Sequence, residues 1–341
     1  MHRFSIPIID IAPFFTGSAQ IKQQLAHQVA IACETIGFFM ITGHGLPETV
    51  IQGVFEVSAA FFDLPLAAKM AIATPTQVTR GYVAAGGESL SYSLDQVAPP
   101  DLKEFFLMAA EAQADDPYYQ APEAGYFFAP NQFPQYPQRF QAVLGDYFHR
   151  MENLAATLMQ IFALGLHLPE DFFADKINKH VSEMGSFHYP AQTTAPQPGQ
   201  LRAGAHTDYG SLTILASDDA PGGLQIYTPD ETWIDVRPVP SAFVINIGDL
   251  MARWTNDRWK STLHRVANPT TDEGYPKGRQ SIAFFHQPNY DALIQCLDSC
   301  WNAENPPKYT PITAGENTFV KSEKHRNATT EVKPEKMLLV T

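Results

Sequence analysis

The feature that most constrains the fold is a pair of closely spaced polar residues with a distant third. His206 and Asp208 are separated by one residue in Ala-His-Thr-Asp-Tyr-Gly, and His264 follows much later in Ser-Thr-Leu-His-Arg-Val. Side chains at positions i and i+2 of an extended strand point to the same face, so His206 and Asp208 can bind one ion together. A second strand must then return beside the first to bring His264 to that ion, which predicts a closed or double-layered β-scaffold.

These three side chains have the composition of a metal site. Two imidazoles and one carboxylate on one face of a metal ion leave the opposite face open, and this is the ligand set of non-haem Fe(II) oxygenases. The His-x-Asp pattern is weakly specific when it stands alone. The prediction of an iron centre therefore depends on what the rest of the sequence contains.

A second pair with strand spacing lies a short distance beyond His264. Arg279 and Ser281 occur in Gly-Arg-Gln-Ser-Ile-Ala-Phe-Phe, so on a strand they project together and suit bidentate binding of a carboxylate. The apolar residues that follow indicate a buried strand, where an unpaired arginine would be costly. We expect a small dicarboxylate to be held between this pair and the iron.

Composition excludes several classes of protein. The chain has 36 acidic and 23 basic residues and a formal net charge of −13, which disfavours nucleic-acid binding. Its three cysteines form no Cys-x-x-Cys pair, so they favour a reducing compartment over a disulfide framework or a zinc site. No apolar run approaches the roughly 18 residues of a membrane span. We expect a cytoplasmic protein with no nucleic-acid or membrane partner, and its oligomeric state stays open.

Hydrophobic periodicity predicts helices mainly in the first half of the chain. The predicted helices cover residues 20–36, 48–72 and 138–164. A strand is expected between the first two helices, and a short one over residues 103–108. Residues 111–137 contain five prolines, so we expect an ordered loop there without a regular element.

From about residue 180 the pattern changes to short β-runs bounded by glycine and proline. The predicted strands are residues 211–215, 224–227, 233–236, 242–247 and 281–286. Short strands at this spacing are typical of a jelly roll.

Several motifs in a fixed order resemble one family. The chain resembles the isopenicillin N synthase-like superfamily of Fe(II)- and 2-oxoglutarate-dependent dioxygenases almost from end to end. The matching segments are Ile-Pro-Ile-Ile-Asp-Ile (6–11), Gly-Phe-Phe-Met-Ile-Thr-Gly-His-Gly-Leu-Pro (37–47), Arg-Gly-Tyr (80–82), Asp-Leu-Lys-Glu-Phe-Phe (101–106), Asn-Gln-Phe-Pro (131–134), His-Thr-Asp-Tyr-Gly (206–210), Gly-Gly-Leu-Gln (222–225), Asn-Ile-Gly-Asp (246–249) and His-Arg-Val (264–266).

The resemblance implies roles for individual residues. It implies that His206, Asp208 and His264 are iron ligands, and that Arg279 and Ser281 bind the distal carboxylate of 2-oxoglutarate.

Tyr189 matches a family tyrosine that helps to hold the cosubstrate or substrate. It lies in Phe-His-Tyr-Pro, where many plant members have Asn-Tyr-Tyr-Pro. The polar contact that this asparagine usually supplies is therefore missing or replaced in this chain.

Five further residues are expected on the substrate side. Arg80, Tyr82 and Phe105 match regions that line the substrate pocket in relatives. Phe285 and His286 follow the carboxylate-binding pair on the same predicted strand, so we expect them to border the pocket.

The expected fold is mainly β with flanking helices. A double-stranded β-helix, or jelly roll, should form the core, with an N-terminal α/β region packed on it. We expect one integrated unit made of residues 1–110 (N-terminal helical and strand region), 111–180 (loop and long helix), 181–290 (jelly-roll catalytic core) and 291–341 (C-terminal segment).

The resemblance implies an oxidoreductase that uses Fe(II), 2-oxoglutarate and O2 to oxidise a small molecule, by hydroxylation or related C–H oxidation, with release of succinate and CO2. Three alternatives stay open: an oxidase of the isopenicillin N synthase type that needs no 2-oxoglutarate, an ethylene-forming enzyme, and a non-catalytic metal-binding jelly roll. Nothing in the sequence identifies the substrate.

Overall fold

The computed structural model describes residues 5–73, 80–91, 98–192, 195–220, 223–269 and 278–321. Its strands are β1 (Ile8–Asp10), β2 (Phe38–Thr42), β3 (Gly81–Val83), β4 (Glu104–Ala109), β5 (Glu183–Tyr189), β6 (Ala203–His206), β7 (Leu212–Ser217), β8 (Leu224–Tyr227), β9 (Trp233–Asp235), β10 (Phe243–Ile247), β11 (His264–Val266), β12 (Arg279–His286), β13 (Leu293–Ile294) and β14 (Ile312–Thr313).

The helices are concentrated before β5. They are α1 (Ala12–Thr16), α2 (Ala19–Thr35), α3 (Glu48–Phe62), α4 (Leu66–Met70), α5 (Ala124–Phe127), α6 (Phe140–Gly165), α7 (Ala174–Ile177), α8 (Asp249–Trp254) and α9 (314–321). The N-terminus of α2 is capped by Ser18, whose hydroxyl accepts a hydrogen bond from the backbone N–H of Ile21.

Two sheets face each other across the interior. The larger has the strand order β1-β2-β10-β7-β12-β5-β4-β3, and the smaller has the order β6-β11-β8-β9. Side chains from both sheets line one cavity. This arrangement is the double-stranded β-helix that the sequence predicted, and solved structures of 2-oxoglutarate oxygenases superpose on it.

The outer face of the larger sheet carries the main hydrophobic core. Helices α2, α3 and α6 pack together there, and α3 and α6 also contact β12. Helix α6 contributes a continuous buried stripe at helical spacing, formed by Phe140, Leu144, Tyr147, Met151, Leu154, Leu158 and Phe162. This layer supports the back of the sheet whose inner face lines the cavity.

Among the departures from the predicted elements, three concern longer segments of the chain. The helix expected over 48–72 is divided, because Pro65 lies between α3 and α4. The loop expected over 111–137 was wrong in part, since it contains a 3₁₀ helix at Pro117–Gln120 and the short α5. Strand β5 was not among the predicted runs.

The N-terminal region contributes strands to the same sheet as the later segments. Strand β2 pairs with β10, and β4 pairs with β5. Of the helices in the described part of the chain, none has both the length and the apolar character needed to cross a bilayer.

Candidate metal centre and cosubstrate pocket

Strand pairing brings the two imidazoles together. His206 is the last residue of β6 and His264 the first of β11, and they are direct partners in the antiparallel register. Their ring centroids are 4.3 Å apart. The predicted return of a second strand beside the first is therefore present.

Asp208 reaches the same point by a different route. The sequence suggested that His206 and Asp208 share one strand, but β6 ends at His206 and Asp208 lies in the turn that follows. The expectation of a continuous strand is corrected, while the three side chains still converge. Their ligand atoms all lie within 4.8 Å of one another.

Backbone carbonyls fix the orientation of both imidazoles. His206 Nδ1 is 2.8 Å from the carbonyl oxygen of Gly204, and His264 Nδ1 is 3.0 Å from that of Thr262. Because only a protonated Nδ1 can donate to a carbonyl, the lone pair of each neutral imidazole lies on Nε2. The two Nε2 atoms lie 3.7 and 3.6 Å from Asp208 Oδ1.

The second carboxylate oxygen of Asp208 is held by neighbours. Thr213 Oγ1 donates to Oδ2 at 2.5 Å and Asn246 Nδ2 donates at 2.7 Å. Oδ1 therefore remains directed at the two Nε2 atoms. Three anchored donors, two nitrogens and one carboxylate oxygen, fit a first-row divalent metal such as Fe(II).

The three ligand side chains have shifted pKa values. Burial and the neighbouring His264 lower the pKa of His206 to about 3, so this imidazole is neutral at ordinary pH. Burial alone would raise the pKa of Asp208, but His264 and the hydrogen bonds to the carboxylate lower it below its usual range. Burial lowers the pKa of His264, but the neighbouring Asp208 raises it by more, so a metal ion would displace a proton from His264. The site offers an ionised carboxylate, as a cation requires.

Arg279 and Ser281 lie side by side on β12 as their spacing predicted. Both side chains are buried, and Arg279 Nη1 is 3.4 Å from Ser281 Oγ. The guanidinium carbon lies 5.0 Å from the ring centre of Tyr189, the cross-strand partner of Arg279. Within the described ranges no carboxylate forms an ion pair with Arg279, so its guanidinium group can bind the carboxylate of a ligand.

All six residues line one cavity of about 350 Å³. The walls come from both sheets, from the β3–β4 loop and from α9. Arg80, Phe105 and Phe285, which the sequence placed on the substrate side, also lie in the wall.

Two of the expected substrate contacts do not line the cavity. The hydroxyl of Tyr82 donates to Glu104 at 2.5 Å. Glu104 precedes the wall residue Phe105 on β4, so Glu104 and the Tyr82 hydroxyl bonded to it lie on the opposite face of the sheet. His286 follows Phe285, so strand alternation points it outward, where its Nδ1 lies 2.6 Å from Ser211 Oγ. Both expectations are corrected by the same alternation that places Phe105 and Phe285 in the wall.

Sequence reasoning missed several polar wall residues. Glu88, Lys103, Glu183 and Gln287 all line the cavity. Gln287 follows Phe285 by two positions, so alternation beyond the strand end could have found it. The others belong to segments far apart in sequence, with no spacing that marks them.

Family models match most of the chain in two parts. Residues 6–136 match the N-terminal domain described as non-haem dioxygenase in morphine synthesis, and residues 177–288 match the 2OG-Fe(II) oxygenase superfamily.

Individual relatives agree over nearly the whole length. The chain is 38% identical to the 2-oxoglutarate-Fe(II) type oxidoreductase hxnY of Emericella nidulans, covering 90% of this chain and 86% of that one. It is 33% identical to homoarginine-6-hydroxylase 2-ODD-C23.1 of Arabidopsis thaliana, with 87% and 88% covered.

Solved structures give the same result. The crystal structure of a full-length Neurospora crassa protein in complex with alpha-KG and thymine superposes with a TM-score of 0.81 at 31% identity, covering 95% of this chain and 97% of that one. The chain therefore belongs to the 2OG-Fe(II) oxygenase superfamily and is a non-haem iron, 2-oxoglutarate-dependent dioxygenase that acts on a small molecule.

Proposed function

We propose that His206, Asp208 and His264 bind the catalytic Fe(II), and that Arg279 and Ser281 bind the distal carboxylate of 2-oxoglutarate. The observation that carries the proposal is the convergence of the two imidazole Nε2 atoms and Asp208 Oδ1 in the cavity that also contains Arg279, which has no ion-pair partner among the described residues. When bound, the iron supplies activation of O2, coupled to conversion of 2-oxoglutarate to succinate and CO2.

The protein contributes orientation and exclusion of water. Arg279 and Ser281 hold one end of the cosubstrate, and Tyr189 packs against the guanidinium so that its direction is fixed. Phe105 and Phe285 supply apolar wall, which limits the access of water to the reacting atoms.

The substrate side is proposed to lie around Arg80, Phe105 and Phe285. The small molecules named for relatives, such as thymine in the Neurospora crassa complex and homoarginine for the Arabidopsis hydroxylase, support a substrate of modest size. Hydroxylation or a related C–H oxidation is the proposed outcome.

We also infer the setting in which the enzyme works. The three cysteines form no disulfide, which suits a reducing compartment such as the cytoplasm. The net charge of −13 argues against a nucleic-acid partner, and we propose that the four expected segments act as one unit.

The three alternatives can be distinguished by the products that they would release. An oxidase that needs no 2-oxoglutarate would consume O2 without succinate, an ethylene-forming enzyme would release ethylene, and a non-catalytic jelly roll would bind ligands without turnover. Relatives of this chain that are named as 2-oxoglutarate-Fe(II) type or 2-oxoglutarate-dependent enzymes favour the main proposal.

The test is succinate release from labelled 2-oxoglutarate. The wild-type protein with Fe(II) should release succinate, and more of it when a substrate is present. Arg279→Ala should raise the KM for 2-oxoglutarate by about tenfold or more, because the charge-assisted hydrogen bonds to its carboxylate are lost.

A matched control for this variant is Arg150→Ala. The Arg150 side chain on α6 is 41% exposed and pairs only with Asp146 among the described residues, so its loss should leave the KM unchanged. An unchanged KM for Arg279→Ala would refute the assignment of the cosubstrate site.

Iron binding tests the other half of the proposal. His206→Ala should abolish Fe(II) binding measured by equilibrium dialysis, whereas His149→Ala, on the exposed face of α6, should bind iron like the wild type. Full iron occupancy in His206→Ala would show that the metal site lies elsewhere.

A further inference from the structure

The charged side chains of the cavity wall, apart from the proposed iron and cosubstrate ligands, are already paired with each other. Arg80 Nη1 lies 2.9 Å from Glu183 Oε1, and Lys103 Nζ lies 2.9 Å from Glu88 Oε2. All four residues line the cavity. A charged substrate would have to separate one of these pairs or be buried without a counter-charge, and both are unfavourable.

Asp101 is a second carboxylate near Lys103, but it does not add an unpaired charge to the cavity wall. Asp101 Oδ2 is 3.2 Å from Lys103 Nζ, but Asp101 is outside the cavity wall and accepts hydrogen bonds from the backbone N–H groups of Gly204 and Leu90. Both of its oxygens are therefore engaged by Lys103 and backbone N–H groups, and the carboxyl is not presented to the substrate.

The apolar part of the wall suits a flat ring. Phe105 and Phe187 lie with ring centres 5.4 Å apart at a tilt of 36°, and Phe285 meets Phe187 edge-on at 6.2 Å. The Phe187 ring occupies the space above Gly185, where a Cβ would come within 2.5 Å of it. Aromatic faces and edges in this arrangement favour planar ligands.

One polar group in the wall lacks a partner. Gln287 is 8% exposed and lines the cavity, and its Oε1 has no hydrogen-bond partner among the residues that the structure describes. Its amide lies beside Gly210, two residues after Asp208. Whichever way the amide is turned, a carboxamide offers one acceptor and one donor edge, and a buried unpaired acceptor favours a ligand that donates to it.

We propose that the substrate is an uncharged planar ring with an N–H donor beside a C=O acceptor, as in a lactam or cyclic imide, and that Gln287 recognises this edge. A lactam edge and a carboxamide are complementary, since each donates one hydrogen bond to the other. The inference rests on the proposed function, because it concerns the substrate side of the same cavity.

Binding to the full-length protein tests the ligand class. With 2-oxoglutarate present and Mn(II) in place of iron to prevent turnover, calorimetry should compare uracil and 2-pyridone with benzoate and homoarginine. The neutral lactam and imide rings should bind at least about tenfold more tightly than the anionic or zwitterionic probes. Tighter binding of benzoate or homoarginine would overturn the proposal.

A pair of matched variants tests the role of Gln287. Gln287→Leu should weaken binding of uracil or 2-pyridone by about tenfold, because the amide edge is removed at nearly constant volume. Gln280→Leu is the control, since Gln280 lies on β12, the strand that Gln287 follows, and also has an unpartnered Oε1, but it is outside the cavity wall. Equal affinities for the two variants and the wild type would overturn the assignment to Gln287. That result would show that Gln287 Oε1 bonds to water and not to the ligand.

Measuring succinate release without added substrate distinguishes a failure of the substrate inference from a failure of the proposed function. If Gln287→Leu and the wild type both release succinate from 2-oxoglutarate while neither prefers lactams, the substrate inference fails and the proposed function stands. If the wild type consumes no 2-oxoglutarate with Fe(II) under any condition, the proposed function itself fails.

Discussion

The proposed iron ligands depend on neighbours that do not touch the metal. Asp208 is the clearest example, because Thr213 and Asn246 together occupy its Oδ2 and leave Oδ1 for the ion. Such partners fix the direction and basicity of a ligand, and their loss typically reduces metal affinity about 10- to 100-fold. Thr213 faces the cavity from β7, so it supports the carboxylate from the opposite sheet.

We predict that Thr213→Val lowers the affinity for Mn(II) or Fe(II) about 10-fold or more, because Asp208 loses its shortest hydrogen bond while the volume of the side chain is retained. A metal titration followed by fluorescence measures the change. Thr157→Val is the control, since its hydroxyl donates to the carbonyl oxygen of Asn153 within α6, far from the proposed ligands in the sequence. Equal affinities for both variants would show that Asp208 needs no support from Thr213.

Glu104 forms a buried polar cluster behind the cavity wall. It accepts hydrogen bonds from Lys69 Nζ at 2.7 Å and the Tyr82 hydroxyl at 2.5 Å, and its other oxygen lies 2.8 Å from His188 Nδ1. Burial would raise the pKa of Glu104, but the hydrogen bonds from His188, Lys69 and Tyr82 lower it to about 2. His188, which departs from the plant motif, is therefore engaged with the β4 carboxylate.

This cluster should make stability depend on pH. Because the pKa of Glu104 is lower in the folded than in the unfolded chain, its contribution is present above an ordinary pKa of 4.5 and is lost as the pH falls towards 2. Glu104→Gln should lower the free energy of unfolding by about 1–3 kcal/mol at pH 7, and the difference from the wild type should shrink between pH 4.5 and 2.

Urea denaturation at several pH values measures this difference. The control is Glu56→Gln, on the exposed side of α3, which should change stability little at any pH. A Glu104→Gln difference that stays constant down to about pH 2 would contradict the assigned pKa.

Residue spacing predicted some of these contacts and not others. The pairing of His206 with His264 and the adjacency of Arg279 and Ser281 follow from strand alternation, so they could be predicted without coordinates. The Lys103–Glu88 and Arg80–Glu183 pairs could not, because they depend on where Glu88 lies relative to β4 and on which strands become neighbours.

Among the elements, the turn after β10 comes unusually close to the turn that carries Asp208. A Cβ on Gly248 would lie 2.2 Å from the carbonyl oxygen of Gly210, so the two backbones are in direct contact. Next to Gly248, the backbone N–H of Asp249 donates to the carbonyl oxygen of Asp208 at 2.8 Å. The start of α8 therefore positions the carboxylate turn.

We predict that Gly248→Ala destabilises the protein by about 1–3 kcal/mol and weakens metal binding, because the added methyl group must push the two turns apart. Thermal unfolding and a metal titration measure the two effects. Gly145→Ala in α6 is the matched control: apart from its chain neighbours and the backbone of the helix itself, no described atom lies within 4 Å of its Cβ position, so it should stabilise the helix by about 0.5–1 kcal/mol. A neutral Gly248→Ala would show that the turns can separate without cost.

Helices and strands were predicted correctly from the sequence where the hydrophobic pattern within a single segment specified them. The stripe of α6 and the alternation of β12 were both predicted to within a few residues. Asp208 was misplaced because alternation predicts which face a strand residue occupies but not where the strand ends, and the turn that carries Asp208 packs through Gly210 against Gly248 and His286.

At the scale of the whole molecule, distant parts of the chain meet at one cavity. Arg80 precedes β3, Gln287 follows β12, and Thr318 comes from α9. Lys321 at the end of α9 forms an ion pair with Asp249 and lies 5.1 Å from the ring centre of Tyr209. Ligands in this cavity should therefore stabilise the fold as a unit.

We predict that Mn(II) and 2-oxoglutarate together raise the unfolding midpoint, since each binds the folded state. A ligand at about 100 times its Kd adds about 2.7 kcal/mol. In Arg279→Ala the stabilisation due to 2-oxoglutarate should fall by about 1.4 kcal/mol or more at the same concentration, as a tenfold or greater loss of affinity requires, while that due to Mn(II) remains. In His264→Ala the Mn(II) increase should be absent. Thermal scans with and without each ligand measure this, and an Arg279→Ala protein that responds to 2-oxoglutarate as strongly as the wild type would contradict the proposed site.

The three proposed iron ligands are held by different kinds of structure. The two imidazoles belong to paired strands whose register ties their positions together, whereas the carboxylate sits on a loop secured by side-chain hydroxyl and amide groups and by a neighbouring turn. The proposed site thus combines two ligands whose positions are fixed by strand register with one that is held by side-chain and loop contacts. Single substitutions among those contacts would change the metal affinity while the strands of both sheets stay the same.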